Sequence, residues 1–400
     1  MVDTYSPGAT RLLDAVVALR PALAATAERS ERERRLSDDA VSALRESGVY
    51  RMFLPSELGG DPVDLETFVA VLETLAQGNA AAGWDVAAHS IMTLAAIALP
   101  AAGVERIYGG KTQVPLAGSL AGGRGRAVVD ADAGGYRVTG RWSFGSGSGE
   151  AEWIGGSCDV IDGEGPRLGP NGLPQVVIAF FPRDAVAIHD VWYTLGMRGT
   201  GSNDWSVAGA FVPEPLVMSI VAAPPWAGTL YRVPRTVVTA LHFSAVAAGI
   251  ARGAIDYLVD LAQTKTAVFE RRYSVQHGLL RERVQTQEAV ARAEVLLESA
   301  RAYRSRVIAD VWETAERGEP VTVQQRARMR LAGTNLAECA IRVVDMMFQA
   351  AGTTAIDETN PLARALRDVH VIAQNIAVYA LNWEHGGRVL LGLDPGTPIW

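Results

Sequence analysis

The residues best suited to chemistry cluster in one stretch of small polar residues, Trp142-Ser143-Phe144-Gly145-Ser146-Gly147-Ser148-Gly149-Glu150-Ala151-Glu152-Trp153. Every position from 143 to 149 except Phe144 is Gly or Ser. Such a segment offers backbone N–H groups and hydroxyls at close range, because no bulky Cβ substituent holds a ligand away. Trp142, Phe144 and Trp153 bracket it with flat apolar surface. A planar, polar-edged heterocycle such as a flavin ring suits that mixture. A Gly/Ser loop joining two strands accounts for the composition equally well.

A second polar turn, Arg198-Gly199-Thr200-Gly201-Ser202-Asn203-Asp204, has the same character. Gly199 and Gly201 permit close approach to a ring or phosphate. The competing reading is a β turn with no ligand, most seriously for Asn203. Six histidines are present. His370 carries an imidazole, whose ordinary pKa of about 6.5 suits proton transfer near neutral pH, while a lone histidine on a helix is usually structural. On a helix it shares a side with Arg367 and Gln374. His89 lies in a very apolar helix, where desolvation lowers its pKa; it reads as substrate contact or core histidine alike. His242 reads as structural or pocket-lining, and His189, His277 and His385 have no supporting pattern. The cluster Gly122-Gly123-Arg124-Gly125 lacks the strand–loop–helix context of a phosphate loop and reads as a β turn.

The elements that must position these groups follow from pattern. Residues 10–110 read as helical. Ser37 caps a helix whose first turn holds Asp38 and Asp39 and which Gly48 ends. Asp64 opens another, terminated at Gly78, and a third covers about 80–98 with Trp84, Asp85 and His89. From 112 to 218 short β-rich runs alternate with turns at Asp162-Gly163, Pro170-Asn171-Gly172 and Pro213-Glu214-Pro215, which suggests a small barrel or sandwich. Residues 219–234 read as irregular. Beyond 235 four long helices read as an up-and-down bundle. The fourth follows Asn360-Pro361, with Leu362, Leu366, Val369, Ala373, Ile376 and Ala380 on one face.

With 400 residues, 48% apolar and 20% charged, the chain can bury a substantial core. Its net charge of −7 argues against a nucleic-acid footprint. Cys158 and Cys339 form no metal or disulfide pattern, so a reducing cytoplasm is expected and no metal site. Met1 to Ala9 shows no signal-peptide pattern, and no apolar stretch makes a clean membrane span.

Four stretches in order resemble the acyl-CoA dehydrogenase superfamily across nearly the whole chain. They are Pro55-Ser56-Glu57-Leu58-Gly59-Gly60, the strand Gly135-Tyr136-Arg137-Val138-Thr139-Gly140 leading to Trp142, the helix start Gly249-Ile250-Ala251-Arg252-Gly253-Ala254-Ile255-Asp256, and Gln349-Ala350-Ala351-Gly352 followed by Arg367-Asp368. The resemblance implies an acyl-CoA dehydrogenase-like fold, mainly α. An N-terminal helical domain (1–111) and a C-terminal four-helix bundle (221–400) would flank a central β barrel domain (112–220). It also implies a homotetramer or homodimer with shared flavin sites. The dehydrogenase base is missing: its usual place is Ile376, and the other place used in the family is Thr239. Neither side chain accepts a proton at neutral pH.

The departures resemble a sub-branch, the hydroxylase components of two-component flavin-dependent monooxygenases. Trp142-Ser143-Phe144-Gly145-Ser146-Gly147, Met197-Arg198-Gly199-Thr200-Gly201-Ser202-Asn203-Asp204, Arg367-Asp368-Val369-His370, and Gly83-Trp84 with His89 carry that resemblance. It implies that reduced FAD or FMN arrives from a separate NAD(P)H-dependent reductase and reacts with O2. A C4a-hydroperoxide then passes oxygen to a small aromatic or heteroaromatic substrate. It assigns His370, Ser146 and His89 to catalysis. Trp142, Phe144, Ser146, Gly147, Arg198, Thr200, Ser202 and Asn203 would hold the flavin, with Gln349 and Gly352 reaching a neighbouring subunit's flavin. Arg271 and Arg272 would meet the flavin phosphate, although Val268-Phe269-Glu270 only loosely echoes the family's signature. N-oxygenation of an amino substrate, a dehydrogenase with a displaced base, and a non-catalytic flavin-binding homologue are the alternatives.

Overall fold

The computed structural model describes residues 6–120, 125–163, 165–169, 172–266 and 278–397. Gly122, Gly123, Arg124, Pro170, Asn171, the stretch Val268-Phe269-Glu270, Arg271, Arg272 and His277 lie outside the described residues.

Five helices come first: α1 (Pro7–Glu33), α2 (Asp38–Ser47), α3 (Leu65–Gly78), α4 (Ala80–Ala96) and α5 (Ala101–Tyr108). Helix α2 is bounded as its caps require: Ser37 Oγ accepts from the Ala40 N–H at 3.3 Å, and Gly48 ends it at φ 87°. Asp64 opens α3 by accepting from the Thr67 N–H at 2.7 Å. Gly78 does not terminate α3 but is its last residue; a Cβ there would stand 2.8 Å from the Arg20 carbonyl oxygen of α1. The chain turns at Asn79, which closes α3 and caps α4 by accepting from the Ala81 N–H at 3.1 Å.

Nine strands follow: β1 (Leu116–Ser119), β2 (Gly125–Asp130), β3 (Gly135–Gly145), β4 (Trp153–Asp162), β5 (Gly165–Pro166), β6 (Val176–Pro182), β7 (Ala187–His189), β8 (Asn203–Pro213) and β9 (Val217–Ser219). They form one mixed sheet in the order β7-β8-β3-β2-β4-β6-β9, with β1 and β5 also pairing with β4. Among the described residues the pairings form an open path, so the central domain is a mixed sheet with β7 and β9 at its ends. Strand β4 runs parallel to β1 and β2 and antiparallel to β6. Trp142 of β3 and Trp205 of β8 face each other and stack at 4.1 Å and 15°. A Cβ on Gly156 of β4 would meet both indoles within 3 Å, so glycine is what lets the stacked pair lie flat on the sheet.

The C-terminal helices are α6 (Arg235–Thr264), α7 (Val284–Glu316), α8 (Val323–Ala351), α9 (Pro361–Ile372) and α10 (Asn382–Leu390). Helix α6 is long and apolar enough to cross a membrane by composition, yet most of it is buried among α3, α4 and α8. The expected fourth bundle helix is two helices. Helix α9 stops at Ile372, and turns occupy 373–381. Asn375 Oδ1 accepts from the Ala377 N–H at 2.9 Å, and buried Asn382 takes the Ala377 carbonyl at 3.1 Å. These side chains offer the backbone local partners that compete with helix continuation. Ile376 and Ala380 are thereby exposed rather than packed on the helix face.

Candidate functional site

The site is built where β3 loses its register with β8. Trp142 pairs with Trp205, but Gly145 pairs with Asn203, so β3 carries one extra residue. The resulting bulge bends the strand and re-aims a side chain. Phe144 is the residue re-aimed: its φ is +64° and its side chain is 60% exposed. A non-glycine residue in this region stores strain that the surrounding structure must hold. Phe144 offers its ring to solvent on one side and to Trp192 at 6.2 Å on the other.

Two residues later, Ser146 is buried and bonded on both sides. Its Oγ accepts the Trp84 indole N–H at 2.9 Å and lies 2.7 Å from Ser202 Oγ. Ser202 Oγ is 2.6 Å from Thr200 Oγ1, which donates to the Met197 carbonyl at 2.8 Å. A carbonyl can only accept, so this last bond fixes the direction of the chain. The Thr200 proton goes to Met197, the Ser202 proton to Thr200, and the Ser146 proton to Ser202. A hydroxyl has one proton and two lone pairs. Trp84 occupies one lone pair of Ser146, and the other is left to accept.

The supports of this hydroxyl chain come from three elements. Trp84 is on α4, held at 4.3 Å from Phe243 of α6. Thr200 belongs to a short 3-10 turn, Arg198–Thr200. That turn is clamped to α9. Asp368 accepts from the Met197 N–H at 2.5 Å, and a Cβ on Gly196 would stand 2.4 Å from the Arg367 carbonyl. Burial raises the Asp368 carboxyl to about 7; the Met197 N–H opposes that rise.

The structure corrects several expectations. Trp142 does not border a ligand: it is fully buried, donates its N–H to the Ser157 carbonyl at 2.8 Å and stacks on Trp205. The N–H groups of 146–148 do not ring a ligand edge either. They go to the carbonyls of Phe144, Thr200 and Gly145, which closes the loop on itself. Asn203 spends its Oδ1 on the N–H groups of Val191 and Trp192 at 3.0 and 3.1 Å, so it holds its own turn. His89 is a core histidine. Its Nδ1 accepts from the Leu116 N–H at 2.9 Å, and its Nε2 lies 3.2 Å from the Tyr50 carbonyl and 3.1 Å from Thr93 Oγ1. Burial lowers its pKa to about 4, so it stays neutral with both nitrogens committed.

Other candidates are placed apart from Ser146. His370 is exposed on α9, with Nε2 3.5 Å from Asp345 of α8. No hydrogen bond or ring contact joins it to Ser146 among the described residues. Arg367 turns to Glu31 of α1 rather than lining a stripe with His370. Thr200 and Ser202 stand behind Ser146 and act through it. Gly147, at φ +68°, lets the loop close over Thr200. Arg198 is half-buried, and no group among the described residues bonds its Nε. Gln349 and Gly352 are exposed at the end of α8.

Residues 14–102 match the model of the acyl-CoA dehydrogenase N-terminal domain, and 241–379 that of the acyl-CoA dehydrogenase C-terminal domain. An indole-3-acetate monooxygenase of Pseudomonas putida is 30% identical over 91% of this chain and 90% of its own. The flavin-dependent monooxygenase oxygenase subunit HsaA of Rhodococcus jostii (strain RHA1) is 30% identical over 96% and 97%. The chain belongs to the flavin-dependent monooxygenase branch of the acyl-CoA dehydrogenase superfamily. The solved 3-HSA hydroxylase of Rhodococcus sp. RHA1 superposes with a TM-score of 0.87 over 98% of this chain and 99% of that one, at 27% identity.

In this monooxygenase branch Ile376 and Thr239, neither of which can act as the base, need no replacement, because no α-proton has to be abstracted. The indole of Trp84 and the carboxyl of Asp368 entered the sequence reading only as parts of motifs. Their signals were a tryptophan on an apolar helix facing a Ser-rich loop, and an acid at a helix position that proves buried.

Proposed function

We propose that the chain is the oxygenase component of a two-component system, taking reduced FAD or FMN from a separate NAD(P)H-dependent reductase and hydroxylating a small phenol- or indole-type substrate with O2. The observation that carries the reading is the direction of the hydroxyl chain. Ser146 presents an accepting lone pair, and a reduced flavin carries an N–H at N5, whereas an oxidised flavin carries a lone pair there. Like faces like in the oxidised case, so the site favours the reduced form. When bound, the reduced flavin supplies the electrons that activate oxygen. The chain's own residues orient and seal it. Phe144 gives the ring an apolar wall, Trp84 fixes Ser146 from one side, and Ser202 with Thr200 fixes it from the other. Arg198 supplies an unspent donor at the turn. The relatives' names, an indole-acetate monooxygenase and an oxygenase subunit, support the substrate class and the separate reductase.

His370 is assigned the proton transfer to or from substrate. Its support is Asp345, whose carboxylate lies 3.5 Å from Nε2, and the Asp368 clamp two residues earlier, which ties its helix to the turn behind Ser146. Gln349 and Gly352, exposed at the end of α8, are assigned to a subunit contact in a homotetramer or homodimer. Two buried free thiols support a cytoplasmic setting.

Anaerobic titration with reduced and oxidised flavin tests the reading. Wild type should bind the reduced form at least about tenfold more tightly, a difference of about 1.4 kcal/mol. Ser146→Ala should erase that preference by weakening the reduced form alone. His370→Ala should keep the preference and lose hydroxylation of a phenol or indole by about 100-fold. Equal binding of both forms by wild type, or full turnover by His370→Ala, overturns the corresponding assignment.

A further inference from the structure

Asp85 follows Trp84 on α4, and Glu150 closes the loop four residues after Ser146. Both carboxyls lie against Gly147, the residue that follows Ser146. Asp85, the one acidic residue of α4, is 5% exposed. No N–H or hydroxyl among the described residues donates to either Asp85 oxygen or to Oε1 of Glu150. Both side chains cover the same glycine: a Cβ on Gly147 would lie 3.3 Å from Glu150 Oε1 and 3.6 Å from Asp85 Cγ. Two ionised carboxylates with so few donors would repel. A proton held on Asp85 and donated to Glu150 turns that repulsion into a bond.

We propose that Asp85 and Glu150 are positioning residues that share one proton and thereby latch α4 onto the loop carrying Ser146. The latch stands on its own geometry; its consequence for the cofactor rests on the flavin reading above. The groups around it do not remove the need for the proton. Arg45 of α2 is engaged by Glu152, just before β4, at 3.3 Å, and Arg35, just past α1, by Asp38 at 2.8 Å. Tyr50, from the 3-10 turn after α2, faces the pair as a neutral phenol held far above its usual range by burial, with the charges of Glu150 and Asp85 adding. His89, one turn along α4, is neutral and spent. Burial and the facing Glu150 push Asp85 well above the usual carboxylate range, and burial raises Glu150. As pH rises the shared proton is lost, the pair repels, and Ser146 loses its fixed relation to Trp84.

The test compares wild type, Asp85→Asn and Glu150→Gln. An amide at either position keeps a donor between the groups at every pH. Reduced-flavin affinity, measured anaerobically from about pH 6 to about pH 9, should fall about tenfold in wild type and stay flat in both variants. The thermal midpoint of the flavin-free proteins should show the same pattern, each variant gaining on wild type as pH rises. Variants that keep the wild-type slope in both measurements overturn the latch. If none of the proteins binds flavin, the cofactor reading fails, and the thermal midpoints alone decide the latch.

Discussion

Asp368 shows how one atom pair can hold a site it never touches. Its carboxyl accepts from the Met197 N–H, the residue whose carbonyl ends the hydroxyl chain behind Ser146. Burial raises its pKa to about 7, with the Glu31 charge adding to the rise and Arg364 and Arg367 opposing it. The unfolded carboxyl ionises near 3.9. Between those values the unfolded chain has released a proton that the folded chain keeps, so folding loses stability as pH rises. The contribution is full below about pH 4, declines toward pH 7 and is level above it. Asp368→Asn removes the titration. The thermal midpoint of wild type relative to this variant should fall from about pH 4 to about pH 7 and then hold constant. A constant difference throughout would show that Asp368 is ionised in the folded protein.

At the scale of elements, the bulge in β3 and the approach of α9 set the geometry. Gly196 has no room for a side chain, since a Cβ would stand 2.4 Å from the Arg367 carbonyl carbon and 2.7 Å from the Asp368 nitrogen. Gly196→Ala should push the 197–202 turn off α9. The expected cost is about 1–3 kcal/mol of stability, with a loss of reduced-flavin affinity larger than that of oxidised flavin. Denaturant unfolding and the anaerobic titration read the two effects. Equal losses for both flavin forms would mean that the turn does not orient Ser146. The sequence made the outer elements legible because caps and period are local: Ser37, Gly48 and Asp64 did what their side chains do in isolation. It did not show that Gly78 is retained for its close approach to α1, nor that Asn375 and Asn382 divide the last bundle helix. Those outcomes depend on partners far away in the chain.

The whole molecule explains which site residues could be read and which could not. The Gly and Ser density around 143–149 and 198–202 pointed to close backbone approach, but a strand-joining loop has the same composition, so density alone did not say which of these residues meets a ligand. Trp142, Asn203 and His89 share those motifs, but their roles are decided by what lies behind them: Ser157 and Trp205, the 191–192 backbone, and Leu116 with Tyr50. Near the C-terminal end of the described residues, several large apolar side chains face outward. Ile376, Leu381, Trp383, Leu390, Leu391 and Leu393 are all exposed there, Leu391 to 80%. If these side chains form the proposed subunit contact, association should cover them. Sedimentation should give a mass near two or four times 42.6 kDa, and Leu391→Glu should shift it toward one. A wild-type chain that sediments alone would remove Gln349 and Gly352 from any shared site.

The one-way run of protons from Trp84 to Met197 has a consequence for supply. A pocket that recognises a hydrogen on its cofactor lets go when that hydrogen has gone. On the proposed reading of Ser146, the flavin would behave as a travelling reagent, loaded in one protein and spent in another. Throughput would then follow the free concentration of the reduced carrier, and the two proteins could be matched partners without having to touch.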